Sequence, residues 1–138
     1  MVGHVDQFWG ERVSALDETA FVGTAIEPFD PRLFSHGSPS AYPPDRSRVI
    51  FPSSLNIAWS DPSLDETMAH VGRDGARTIL SAAIADGQNV SHAAMYSNYA
   101  LFGTPLEDMY GENVPRLRKI KGEIDPDRVM DLAGGFKF

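Results

Sequence analysis

Six of the ten prolines fall within the 25 residues from Pro28 to Pro52. Proline fixes its own φ and carries no backbone N–H, so such a stretch serves neither as a helix interior nor as a central strand. Its middle, "SHGSPSAYPPDRSR" at 35–48, mixes the prolines with serine and glycine and reads as a long loop. Loops of this length are unusual inside a compact domain, so the segment is either functional or a disguised connection.

The flanks carry the periodic signals. Val5, Phe8, Trp9, Val13 and Leu16 recur every three to four residues, which predicts a helix over 4–18. Thr19–Ile26 is rich in β-branched and aromatic residues and stops at Pro28, the signature of a strand. A second strand is predicted around Val49–Trp59. There Val49, Phe51, Leu55, Ile57 and Trp59 share one parity and Arg48, Ser54, Asn56 and Ala58 the other, giving an apolar and a more polar face. Pro52 cannot donate to a ladder and belongs at an edge or a bulge. Beyond it, Ser63 followed by Glu66 has the spacing of a capping box, and Leu64, Met68, Val71, Ile79, Leu80 and Ala83 recur at helical spacing until Gly87.

The last third is denser. Residues 93–101 read as a strand or extended segment, which would put Tyr96 and Asn98 on one face and Tyr99 on the other. Thr104-Pro105-Leu106-Glu107 has the form of a capping box with proline at the first helical position, Gly111 breaks that helix, and Asn113 with Pro115 starts another. In the second helix Leu117, Ile120 and Ile124 are expected inward, and Arg116, Arg118, Lys119 and Lys121 form a solvated face until the helix ends near Gly122. Asp125-Pro126 then caps a turn over Arg128–Leu132, and "AGGFKF" trails off. The order helix, strand, strand, helix, short helices predicts an α+β fold, an antiparallel sheet layered with helices and followed by short C-terminal helices.

Composition narrows the function classes. With 138 residues one domain is the default, and no stretch approaches the roughly 18 apolar residues of a membrane span. The opening residues lack the basic start and apolar run of a secretory signal peptide. No cysteine is present, so no disulfide, thiolate metal site or cysteinyl cofactor link forms. A net charge of −7 argues against a nucleic-acid partner, and the excess acid lies early, with 4 basic against 10 acidic residues in 1–69 and 8 against 9 in 70–138. His4, His36, His70 and His92 show no paired spacing, so no metal site is expected. Asn89-Val90-Ser91 is a glycosylation acceptor triplet that matters only in a secreted chain.

Six stretches in order carry a family resemblance: "SHGSPSAYPPDRSR", Trp59 before "SDPSLDE", "MYSNYA", "PLEDMYGENVPRLRKIK", "IDPDRVM" and "GGFKF". From about Ile26 to Phe138 the chain resembles the C-terminal quarter of fungal FAD-linked oxidoreductases of the berberine bridge enzyme-like group, in the vanillyl-alcohol-oxidase-type flavoprotein superfamily. The resemblance implies that residues 1–94 are part of an α+β substrate-type domain and that 95–138 form the closing segment, packed on the same layer or on a flavin domain. The family's FAD-binding half, with its flavin-attaching histidine, lies upstream of anything in these residues, and family members are often secreted.

The same resemblance assigns the candidate site. Tyr96 is the expected catalytic base, and Asn98 and Tyr99 are the expected flavin contacts. His36 and Tyr42 in the proline-rich loop and Asn56 on the second strand are the candidate substrate contacts. Read without the resemblance, Tyr96 and Asn98 are satisfied structural polar residues, His36 is a loop histidine held by turn hydrogen bonds, and Trp59 is core. FAD is the implied cofactor, but no phosphate-cradling glycine loop occurs, so this chain alone is not expected to retain it. Two function classes follow. One is a segment of an oxidase that transfers hydride from a small secondary-metabolite-like substrate to FAD. The other is a cofactor-free, dimeric small-molecule-binding or non-redox (isomerase or cyclase-type) module. Either would expose apolar surface, so a homodimer or a flavin-domain partner is expected on the sheet face and on Leu106–Ile124.

Overall fold

The computed structural model describes residues 9–30 and 32–138. The chain is α+β, a two-stranded antiparallel sheet with helices, and it divides into two compact units. One comprises Met1–Phe29 with Phe51–His92, the other Asp30–Ile50 with Ala93–Phe138. The proline-rich segment therefore leaves the first unit and returns to it, and in between contributes to the second.

In the first unit, residues 9–14 are helical, and residues 4–8 of the predicted helix lie outside the described residues. Strands β1 (Phe21–Ile26) and β2 (Ser53–Ala58) pair antiparallel with Phe21 opposite Ala58 and Ile26 opposite Ser53. Pro52 sits just before β2, where its missing N–H costs nothing, and its carbonyl extends the ladder by accepting the Glu27 N–H at 2.9 Å. Helix α1 (Asp65–Ala85) packs on this ribbon. Trp9, Val13, Met68 and Val71 form the buried cluster, with Val22, Ile57, Trp59 and Leu64 against it. Gly75 lets α1 come close: a Cβ there would lie 2.4 Å from Leu55 Cδ2 and 3.4 Å from the Trp9 ring. Past Gly75 the helix loses its cover, and Leu80 and Ile84 are 42% and 43% exposed.

Both ends of α1 explain themselves locally. The expected Ser63 cap is not used. Asp61 instead accepts the Ser63 N–H at 2.9 Å and initiates a 3-10 turn over Pro62–Leu64 that runs into the helix. Aspartate before proline forms this side-chain turn readily, which moves the cap two residues upstream. At the other end Gly87, at φ +87°, closes a Schellman motif, with its N–H on the Ile84 carbonyl and the Gln88 N–H on that of Ala83.

The second unit is built from turns and short helices: a 3-10 turn at Leu33–Ser35, another at Ser97–Tyr99, α2 (Leu106–Tyr110), α3 (Val114–Ile124) and a 3-10 turn at Val129–Leu132. Met109 and Val114 are its fully buried apolar side chains among the described residues. Thr104 does not cap α2; its hydroxyl donates back to the Leu101 carbonyl at 2.7 Å, and extended Pro105 leads into the helix. Gly111, at φ +51°, breaks α2 from α3 as expected. Helix α3 continues to Ile124 rather than ending near Gly122, and Ile120 and Ile124 are exposed rather than inward. The tail is held, not trailing: the Phe138 ring lies 5.3 Å from that of Tyr110, and Lys137 donates to the Met130 and Ala133 carbonyls.

Candidate functional site

The second unit gathers four aromatic rings into a row. Phe34 meets Tyr42 at 6.3 Å, Tyr42 meets Tyr96 at 5.7 Å, and Tyr96 meets Tyr99 at 5.1 Å, each edge to face. This geometry sets the positive ring edge against a negative ring face. The expectation that Tyr99 projects away from Tyr96 is corrected. Residues Ser97–Tyr99 form a 3-10 turn, closed by the Tyr99 N–H on the Tyr96 carbonyl at 2.9 Å, and in such a turn positions three apart eclipse one another. Asn98 still joins Tyr96, since its Nδ2 donates to the phenol oxygen at 3.0 Å. Met95 donates to the Asp108 carbonyl at 2.8 Å, which fixes this turn to α2.

Tyr42 is half-buried, and its hydroxyl donates to the Ala94 carbonyl at 3.3 Å. Burial, and then the neighbouring Tyr96, push its phenol above the ordinary value. Tyr42 therefore keeps its proton.

Two side chains hold the loop that delivers Tyr42. Arg46 donates to the carbonyls of Phe34 at 2.8 Å, His36 at 2.7 Å and Ser38 at 3.1 Å. Asn113 donates to those of Ser40 at 3.1 Å and Ala41 at 3.0 Å. Sequence reasoning missed both. The usable signal was the proline density itself: a segment poor in N–H donors leaves carbonyls to be satisfied by side chains, and a guanidinium carries five donors in one plane.

Of the residues singled out from sequence, Tyr42, Tyr96, Asn98 and Tyr99 lie together. His36 is exposed on the clamped loop, where its backbone carbonyl takes the Arg46 contact. Asn56 stands on β2 in the first unit, exposed, with its Nδ2 on Ser54 Oγ at 3.1 Å. Trp59 packs against the first unit's core and donates Nε1–H to Asp65 at 2.8 Å. No group of three or more His, Asp or Glu side chains among the described residues is placed to hold a metal ion.

A second cluster lies at the C-terminal end of α3. Lys121 Nζ bridges Asp125 at 2.9 Å and Asp131 at 2.8 Å, and Arg128 also reaches Asp131. Asp125 in turn accepts the N–H groups of Val129 at 2.8 Å and Met130 at 3.1 Å, which is the cap expected from Asp125-Pro126. Lys121, only 17% exposed, is thus not part of a solvated basic face.

Residues 95–133 match the family model described as "Berberine and berberine like". The match takes in Tyr96, Asn98, Tyr99, α2, α3 and the Lys121 cluster, and leaves Tyr42 and His36 outside it. No curated protein and no solved structure matches the chain.

Proposed function

We propose that the chain supplies the closing segment of an FAD-linked oxidase acting on a small organic, secondary-metabolite-like substrate. The observation that carries this reading is the family match over residues 95–133, which contains the Tyr96–Asn98–Tyr99 turn. The described residues fit one end of the cofactor only. Aromatic rings and an amide suit a flat ring system, whereas the helix starts are poor anion cradles: α1 begins with Asp65 and Glu66 and α3 carries Pro115 in its first turn. A flavin, when held by a partner domain, supplies the hydride acceptor.

The chain's own part is proton handling and placement. As hydride leaves a carbon bearing oxygen or nitrogen, the substrate O–H or N–H proton must also depart, and Tyr96 is the base that takes it. Asn98, already donating to that oxygen, holds it in position. Tyr99 and Tyr42 wall the site on either side of Tyr96, and His36 on the clamped loop faces substrate. Visible absorption tests the reading. The chain purified alone is colourless, and the assembly recovered through it from its own cells shows a flavin band that bleaches when substrate is added without oxygen. An assembly that lacks flavin overturns the proposal.

A further inference from the structure

Asn113 stands immediately before α3, where an asparagine ordinarily turns its side-chain oxygen onto the free N–H groups of the first turn. It makes no such bond. Its Nδ2 instead donates across the unit to the carbonyls of Ser40 at 3.1 Å and Ala41 at 3.0 Å, 73 and 72 residues back in the chain. Two acceptor oxygens call for a donor with two hydrogens, which an amide supplies and a carboxylate lacks.

The loop it reaches is braced from within. Arg46 gathers the carbonyls of Phe34, His36 and Ser38, Asp45 pairs with Arg48 at 2.7 Å and accepts the Ser47 N–H at 3.0 Å, and the Ser40 hydroxyl donates to the Tyr42 carbonyl at 2.8 Å. The loop meets the rest of its unit through the Asn113 amide, the Tyr42 hydroxyl on Ala94 and the Tyr42 ring against Tyr96. The Tyr96 turn has an anchor of its own, the Met95 N–H on the Asp108 carbonyl. Base and wall are thus held by separate ties, and Asn113 joins the family-matched segment to a loop that lies outside the match.

We infer that Asn113 is a positioning residue, whose amide latches the braced loop so that the Tyr42 ring stands against Tyr96 and walls the substrate site. The inference rests on the redox reading of that site. Releasing the latch removes a wall and leaves the base in place, so substrate binding weakens while the chemical step keeps its rate.

The discriminating variant is Asn113→Asp. Aspartate suits the residue before a helix as well as asparagine does, but its carboxylate has no hydrogen to donate, so α3 keeps its start and the loop loses its latch. In the full 138-residue chain labelled at its tyrosine rings, magnetic resonance shows the Tyr42–Tyr96 ring contact in the wild type and its loss in the variant. The Tyr96–Tyr99 contact and the protection of the Met95 amide from exchange stay unchanged. In the FAD-loaded assembly the same substitution raises KM about tenfold and leaves kcat within about twofold. A Tyr42–Tyr96 contact that survives in Asn113→Asp overturns the inference, as does a loss of Met95 protection alongside it or a fall in kcat that matches the rise in KM. An assembly without flavin overturns the redox reading alone, and the ring contacts then decide the latch.

Discussion

Lys121 shows how far a single residue can depart from its sequence pattern. Counted with Arg116, Arg118 and Lys119 it reads as a solvated cation, yet its ammonium is shared between Asp125, one turn on, and Asp131 beyond the helix end. The missed signal was the Asp-Pro turn: it folds the chain back over α3, and only that return brings Asp131 to Lys121. The Lys121 contact holds both carboxyls below their usual range, and Asp131 and Asp125 hold the ammonium above its own. The two carboxylates therefore contribute stability above their ordinary pKa of about 3.9 that disappears as the pH falls through their lower folded values. The lysine contributes below its ordinary value of about 10.4 and stops contributing as the pH rises through its higher folded value. The Val129 and Met130 amides, both bonded to Asp125, should stay protected from hydrogen exchange at neutral pH and lose that protection as the pH falls through the lowered folded value of Asp125. Asp125→Ala should open both at neutral pH, and Asp131→Ala should weaken them less because the cap remains. Unchanged protection at pH 2, after correction for intrinsic exchange, would contradict this account.

At the scale of elements, what could be read from the chain was periodicity, and what could not was the competition between neighbouring caps. The spacing of Met68 and Val71 and the parity of Leu55 and Ile57 come from which side meets the core, so they survive into the structure. Ser63 and Asp61 are both good caps two residues apart, and the choice is made by Pro62, which favours the 3-10 turn that Asp61 starts. Asp61→Ala should therefore destabilise the first unit by about 1 kcal/mol in thermal or denaturant unfolding, while Ser63→Ala stays within about 0.5 kcal/mol. Equal losses for the two would restore the Ser63 cap. The tyrosine turn failed as a reading for a related reason. Residues 93–101 have no strong period, and the choice of a 3-10 turn over an extended strand reverses which side chains share a side. Ile120 and Ile124 recur at helical spacing, but periodicity alone says only that they share a stripe, not that anything covers it.

At the scale of the whole molecule, the α+β class was legible and the grouping of residues 30–50 with the C-terminal segment was not. The proline-rich segment announces an excursion, but the units are sewn together from non-adjacent pieces, 30–50 with 93–138, which no local pattern encodes. Two features point to association. Among the described residues the sheet has two strands, fewer than a ribbon needs for independent stability, and large apolar side chains stand in water, with Phe102 88%, Leu132 90% and Ile124 80% exposed. The chain alone should therefore dimerise or bind a flavin-domain partner and take up an apolar dye; light scattering that gives a clean monomer at high concentration, with no dye uptake, would count against it. The central claim, that Tyr96 is the proton acceptor of an oxidase, is tested most directly by rapid-mixing flavin reduction in the FAD-loaded assembly at saturating substrate. Tyr96→Phe should fold normally and lose about two to four powers of ten in the rate of reduction, with Tyr99→Phe costing far less; near-wild-type reduction by Tyr96→Phe would contradict the account and leave the turn a structural one.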